Sequence, residues 1–285
     1  MSKLILSLAS FVARILPNSW RQAIYKIKPL ARLIRGGLNR AAPSGLAEVR
    51  VAAGDLAGFS LLLDMQTEKD YWLGTYEPEL QAALRDLVPA EAVAYDVGAN
   101  IGYVSLLLAK ATGAAGKVYA FEALPDNVER LRRNVDLNGL AARVTVVPGA
   151  VTGSAGPVRF FVHASGGMGK AEGSAGRQDE AYQSELTVDG LPLDDFVYAG
   201  GNPAPQVVKL DIEGGEVMAL PGMKRVLTEV HPLVLMELHG PESARAAWEA
   251  LTAAGYRVCW MKRGYPEVPS LEALDWKAYI VARPK

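Results

Sequence analysis

The chain has 285 residues, half of them hydrophobic, and a formal net charge of −1. That length and apolar content suffice for one large domain with a buried core, and the balanced charge supplies no field that would select nucleic acid. The single cysteine, Cys259, excludes an internal disulfide and a CxxC zinc site.

Residues 1–40 carry eight basic residues and no acid, which leaves the remainder with a net charge of −9. Leu4, Ile5, Leu8, Phe11, Val12, Ile15 and Leu16 follow helical spacing up to Pro17, and Trp20, Ile24, Ile27 and Leu30 suggest a second helix. A basic amphipathic segment of this kind can lie in a membrane interface, dock on the rest of the chain or pack on a second copy. Peripheral membrane contact and a homo-oligomer therefore both stay open. Arg14 interrupts the apolar run and no clean cleavage pattern follows, which argues against a signal peptide. No apolar run reaches the length of about 18 residues needed to span a bilayer. With the lone cysteine, these features point to the cytoplasm, with contact at the inner membrane face through residues 1–40 as the open variant. Ala41–Gly45 reads as a linker, giving a basic helical appendage over 1–45 and a main domain over 46–285.

Glu48–Ala53 and Phe59–Leu63 predict a hairpin around Gly54-Asp55, Tyr71–Gly74 a loop, and Glu77–Leu87 a helix with acids in its first turn. The rest of the chain is organised around the stretch Val93–Gly102, Val-Ala-Tyr-Asp-Val-Gly-Ala-Asn-Ile-Gly. An apolar run into Asp96 predicts a buried parallel strand, and Gly98, Asn100 and Gly102 predict a tight turn. From Tyr103 a helix is expected, with Val104, Leu107, Leu108 and Ala111 on its apolar face. Strand, glycine-rich turn and helix make a nucleoside-sized crevice at the carboxyl edge of a doubly wound sheet.

A dinucleotide fingerprint reads G-x-G-x-x-G and aims its backbone at a pyrophosphate. This turn reads G-x-N-x-G, closely preceded by a carboxylate, which suits a ligand bearing an ammonium and a sulfonium, S-adenosylmethionine. A second strand, Lys117–Phe121, ends at Glu122, an acid placed to accept hydrogen bonds from ribose hydroxyls. Asp96, Gly98, Ala99, Asn100, Gly102 and Glu122 are thus candidate donor-binding residues.

Asp96-Val-Gly-Ala-Asn-Ile-Gly102, Tyr119-Ala-Phe-Glu122-Ala, Asn134-x-x-x-Asn138-Gly139 and Lys209-Leu-Asp211-Ile-Glu213-Gly-Gly-Glu216 together resemble the FkbM-type methyltransferases over about Tyr76–Glu237. Gly215 departs from the alanine more usual in the last motif. The resemblance implies a class I methyltransferase fold, S-adenosylmethionine as methyl donor, and a hydroxyl on a sugar, glycan or small natural product as acceptor. It also hints that Tyr76 and Glu77 approach the methionine end of the donor, although Glu77 reads equally well as an exposed acid at a helix start.

Downstream, Pro125 opens a helix closed by Asn138-Gly139, and Arg143–Val147 is a third strand. Gly149-Ala150-Val151 lies next, at the sheet edge, where Ala150 could face adenine. Val158–Val162 reads as a strand, and the glycine-rich His163–Glu185 as an irregular loop placed for a lid or acceptor recognition. Further strands are expected at Leu186–Val188, Gln206–Leu210, Pro232–Met236, Tyr256–Met261 and Lys277–Ala282. Helices are expected after Asp211, broken at Pro221-Gly222, and over Ser243–Ala254. The fold class is α/β, a Rossmann-like, mostly parallel seven-stranded sheet with helices on both faces, preceded by the helical segment and the hairpin.

Asp211, Glu213, Glu237 and His239 converge at the ends of the fourth and fifth core strands. His239 is the general-base candidate, on the reasoning that an unperturbed imidazole of pKa about 6.5 is largely neutral near pH 7. Asp211 is the candidate for orienting the acceptor or meeting the donor's amino group, and Glu237 joins them as a catalytic candidate. No metal is assigned. Were Mg²⁺ present, Asp211, Glu237 and His239 would be its ligands. Two rival readings are a nicotinamide-dependent oxidoreductase and a non-catalytic membrane-peripheral module.

Overall fold

The computed structural model describes residues 44–163, 168–176 and 182–285. The helices expected within residues 1–40, and most of the linker, lie outside this set. The chain divides into two compact units, Met1–Gln81 with Arg133–Gly139 and Ala82–Arg132 with Leu140–Lys285.

In the first unit, β1 (Leu46–Arg50) and β2 (Ser60–Asp64) form the expected antiparallel hairpin. Its backbone is pinned by two amides one helical turn apart. Leu62 N–H donates to Asn134 Oδ1 at 2.7 Å, Ser60 N–H donates to Asn138 Oδ1 at 3.0 Å, and Asn138 Nδ2 returns a bond to Ser60 O at 2.8 Å. The Asn134-x-x-x-Asn138 motif thus caps a strand edge that would otherwise present unpaired peptide groups. Tyr71–Gly74, expected as loop, instead falls mostly within a one-turn helix, α1 (Lys69–Leu73), which buries Trp72 and Leu73 and ends at the left-handed Gly74. One turn carries no readable periodicity, so burial rather than pattern stabilises it. The next helix, α2 (Pro78–Leu87), continues from this unit into the second.

The second unit opens with β3 (Val93–Val97), α3 (Tyr103–Thr112), β4 (Lys117–Glu122), α4 (Pro125–Leu137) and β5 (Val144–Pro148). The strands β6 (Ala150–Val151), β7 (Gly156–His163), β8 (Gly169–Ala171) and β9 (Tyr182–Leu191) form a separate four-stranded sheet in the order β6-β9-β7-β8. Next come β10 (Val207–Leu210), the short α5 (Glu216–Ala219), β11 (Leu233–His239), α6 (Pro241–Ala253), β12 (Tyr256–Trp260) and β13 (Lys277–Pro284).

The principal sheet has seven strands in the order β12-β13-β11-β10-β3-β4-β5. Its pairs are parallel except those of β13, which runs antiparallel to β11 and β12. The chain moves outward from β3 in one direction and restarts at β10 on its other side. The carboxyl ends of β3 and β10 therefore flank the switch point where such sheets bind ligands. All four residues of β10, and all but the first of β3, are buried, as strands covered on both faces require.

Two further elements differ from expectation. The helix α3 is buried almost all round, with Leu106 and Ala109 inside as well as the expected Val104, Leu107 and Leu108, while Ala111 is only half-buried. Its one charged residue, Lys110, is too little to define a solvent face. The stretch His163–Glu185, expected as irregular loop, supplies β8 and the start of β9, with residues 164–167 and 177–181 outside the described set. Pairing with β7 provides the ladder that a Gly-, Ala- and Ser-rich composition does not announce.

Beneath the switch point lies an aromatic core. The Tyr95 ring packs at 5.3 Å on Phe121, 5.7 Å on Phe196 and 5.4 Å on Tyr119, and its hydroxyl donates to Pro203 O at 2.7 Å. Truncating a ring so enclosed costs about 3–5 kcal/mol. The broken helix is observed as expected, passing from α5 into a tight turn at Leu220–Met223. Among the described residues no helix is long and apolar enough to cross a membrane.

Candidate active site

The glycine-rich turn is built against its two neighbouring strands. Gly98 has φ +77°, and a Cβ there would collide with the Asp211 carbonyl oxygen. Gly102, at φ +91°, caps α3 with its bare Cα facing Leu131. The N–H groups of Gly98 and Ala99 both donate to Phe121 O, at 3.0 and 2.9 Å, and Gly102 N–H donates to Ala99 O at 2.8 Å. Asn100, itself at φ +49°, donates its N–H to Glu122 Oε2 at 2.8 Å. Four peptide donors of the turn are therefore satisfied internally, whereas a pyrophosphate site needs such donors aimed outward. This geometry disfavours the dinucleotide alternative.

Asp96 is fully buried. Its Oδ2 accepts from Ser105 Oγ at 2.6 Å, and its Oδ1 lies 3.2 Å from Lys209 Nζ. Lys209 also donates to Gly98 O at 2.9 Å and sits 3.9 Å from Asp211 Oδ2. The Asp96 carboxylate thus faces inward and braces the turn, rather than presenting itself to a ligand as expected. Sequence reasoning missed Lys209 as a site residue, although a lysine inside a four-residue buried strand was a legible signal, since such a charge must be paired.

Glu122 ends β4 nearly buried. Oε1 accepts from Leu124 N–H at 2.9 Å and Asn127 Nδ2 at 3.4 Å, while Oε2 accepts from Asn100. Burial raises its pKa, against the lowering effect of those hydrogen bonds and of Lys209. Each carboxylate oxygen can accept more than one bond, so Glu122 retains capacity on Oε2. Ala150, in β6, is buried and pairs with Gly190. Glu77 belongs to the first unit, at φ +41° just before α2.

At the carboxyl ends of β10 and β11 four carboxylates surround one imidazole. The Nε2 of His239 lies 3.1 Å from Glu237, 3.5 Å from Glu213 and 3.9 Å from Asp211, and Nδ1 lies 3.4 Å from Glu216. Burial opposes charge on this ring, but the contacts with Glu216 and Glu237 and the negative fields of Asp211 and Glu213 push its pKa up to about 10. The neutral imidazole expected from the sequence is therefore corrected to an imidazolium near pH 7, because β11 runs through His239 and sets the ring among the acids. Glu216 is fully buried and anchored by Ser243 Oγ at 2.8 Å. Glu237 resists its own burial because His239 and Lys277 hold its pKa below the usual value.

Single ligand atoms of Asp211, Glu237 and His239 lie within 4.8 Å of one another, so this trio could gather a divalent cation. The Lys277 ammonium already contacts Glu237 Oε1, supplying positive charge where a metal would bind. Nothing local in the sequence pointed to Lys277 or Ser243 in this cluster, since only the fold brings β13 and α6 beside β11.

The model of the FkbM methyltransferase domain matches residues 96–258, more than half of the chain. The chain is 27% identical over 207 residues to the hexuronic acid methyltransferase AglP of Haloferax volcanii, covering 70% of this chain and 79% of that one. It is 28% identical over 189 residues to the methyltransferase sdnD of Sordaria araneosa, covering 58% and 73%. The crystal structure of an FkbM methyltransferase from Methylobacillus flagellatus KT is similar at 20% identity and a TM-score of 0.46, over 78% of this chain and 56% of that one. The oxidoreductase and binding-module alternatives find no support among these relatives. With the domain match running from the turn at Asp96 through the acid cluster and beyond, the chain belongs to the FkbM methyltransferase family.

Proposed function

We propose that the protein transfers a methyl group from S-adenosylmethionine to an oxygen of a sugar. Asp211 carries the proposal. Its peptide oxygen lies against Gly98 of the turn, and its carboxylate faces His239, so one residue belongs both to the donor crevice and to the acid cluster. The residues suit this donor. Glu122 would accept from the ribose hydroxyls, the Gly98–Gly102 turn with Ala99 and Asn100 would shape the crevice, and Ala150 would border the base. Asp211 would meet the amino group, and Glu77 remains a candidate for the methionine end. The relative that acts on hexuronic acid supports a sugar acceptor.

When bound, the donor supplies a methyl group on a positively charged sulfur, whose departure as a neutral thioether needs no protein acid. The chain must then align an acceptor oxygen about 3 Å from that carbon and receive a proton if the oxygen is a hydroxyl. An imidazolium cannot accept a proton. In this reading Asp211, partly exposed beside the crevice, takes it, while His239 stays charged and holds Asp211 and Glu237 together against their mutual repulsion. Glu216 and Ser243 fix the imidazole orientation. No step requires a metal. The test is incubation with methyl-deuterated donor and a panel of glycosides, read by mass spectrometry. Labelled sugar supports the proposal, and label appearing only on nitrogen acceptors contradicts it.

A further inference from the structure

Next to His239 the four-stranded sheet and the start of β13 enclose a cavity of about 160 Å³. This is smaller than the roughly 300 Å³ at which drug-sized sites begin, and suits one ring. Of the four acids around the imidazole, only Glu213 lines it. The Glu213 side chain is 50% exposed, against 19% for Asp211, 5% for Glu237 and 0% for Glu216. Glu213 is thus the acid that a molecule in the cavity meets first. Trp276 also lines the cavity and, at 44%, is one of the few large apolar side chains left exposed among the described residues. An indole face with a carboxylate suits a sugar ring, which presents apolar C–H faces and hydroxyl edges.

The Glu213 backbone is held by a segment from the other sheet. Its φ of +53° is unfavourable for a residue with a side chain. Just beyond β8, Ala175 N–H donates to Gly214 O at 2.8 Å. A Cβ on Gly176 would strike the Glu213 carbonyl oxygen, and one on Gly214 would strike Gly176 N. This backbone contact fixes where the Glu213 carboxylate stands. Its Oε2 lies 3.5 Å from His239 Nε2, and Asp211 Oδ1 lies 3.9 Å from the same nitrogen. Two carboxylate oxygens directed at one nitrogen are close neighbours, and each can accept more than one hydrogen bond. They are spaced to accept from two hydroxyls on adjacent carbons.

Resting on the proposed sugar methylation, we infer that this cavity takes the acceptor ring through a vicinal diol, and that Glu213 determines which hydroxyl is methylated. One hydroxyl donates to Glu213, its neighbour lies at Asp211, and the ring face rests on Trp276. The hydroxyl at Asp211 is the one that reacts. Its oxygen gains the methyl carbon as the carbon–sulfur bond breaks, and the electron pair of that bond stays on sulfur. Its proton passes to Asp211, while Glu213 exchanges no proton and holds the adjacent hydroxyl in place.

The test uses the full chain, methyl-deuterated S-adenosylmethionine and three probes, methyl β-D-glucoside, methyl β-D-galactoside and methyl α-D-mannoside. The position of the label is read by tandem mass spectrometry on the probe that takes most of it. Wild type should label predominantly one hydroxyl. Glu213→Gln should lower kcat/KM by about tenfold or more, the worth of one charged hydrogen bond, and spread label to other hydroxyls. The deciding comparison is a cycle with deoxy analogues of that probe, each lacking one hydroxyl adjacent to the labelled one. One such deletion should cost wild type about tenfold or more in kcat/KM, and Glu213→Ala about twofold or less. A merely structural defect would instead slow the variant equally on both sugars. Trp276→Ala should raise KM more than it lowers kcat. An equal cost of every deletion in wild type and Glu213→Ala, or an unchanged rate and label position in Glu213→Gln, would overturn the inference. Each variant is first titrated with S-adenosylhomocysteine as a check on folding, and Glu213→Gln enters the cycle if Glu213→Ala fails it. Labelled sugar without these effects defeats this inference alone. No label on any probe, by protein that binds S-adenosylhomocysteine, defeats the sugar methylation beneath it as well.

Discussion

The carbonyl oxygen of Asp211 occupies the space where a side chain on residue 98 would begin. The glycine-rich turn and the first residue of the acid cluster are therefore in direct backbone contact, and Asp211 N–H bonding to Val97 O at 3.1 Å fixes their spacing. Gly98→Ala has two faults, a side chain at φ +77° and a collision with a strand end. It should destabilise the protein by about 1–3 kcal/mol or more, read by chemical denaturation, and should weaken donor-product binding at the same time. Unchanged stability would mean that the turn is not seated on Asp211.

If Glu122 holds the ribose as proposed, it should govern the pH dependence of donor binding. Its pKa in the free protein is raised by burial. Ribose hydroxyls need a carboxylate acceptor, so below that raised pKa binding must first expel a proton. Affinity for S-adenosylhomocysteine should fall as pH drops through it, with proton release measurable in buffers of different ionisation enthalpy. Glu122→Gln should flatten this profile, and Glu122→Ala should cost about tenfold or more in affinity. A pH profile identical in wild type and Glu122→Gln would move the ribose contact elsewhere.

His239 should act on stability as well as turnover. Its folded pKa, up to about 10, exceeds the unfolded value of about 6.5. The stabilisation from its ion pairs is therefore fully present below pH about 6.5 and lost as pH rises through about 10. The melting-temperature advantage of wild type over His239→Asn should shrink across that window. His239→Ala should leave donor-product binding nearly intact and lower turnover by about 10²-fold or more. Unchanged turnover would remove His239 from the mechanism.

Lys277 beside Glu237 predicts indifference to chelators. Dialysis against EDTA should leave methyl transfer unaltered, and added Mg²⁺ should not stimulate it. A requirement for Mg²⁺ would reassign Asp211, Glu237 and His239 as metal ligands.

Much of the frame was legible because its signals are local. The hairpin, the turn at Gly98, the Pro125 helix start and the seven core strands each carry a pattern within a few residues. So did the gathering of Asp211, Glu237 and His239, since adjacent strand ends in an α/β sheet share one edge. What the sequence hid is set by long-range packing. The imidazolium state of His239 depends on four acids from three segments. The inward turn of Asp96 depends on Ser105 and Lys209. The sheet built from β7, β8 and β9 depends on pairing across a stretch whose composition reads as loop.

The identity of the donor is decided by titrating the purified chain with S-adenosylhomocysteine and, separately, with NAD. Saturable one-to-one binding of the nucleoside thioether, weakened by Glu122→Ala, with no response to the dinucleotide, is the predicted result. Binding of NAD, or no binding of either S-adenosylhomocysteine or S-adenosylmethionine by folded protein, would contradict it.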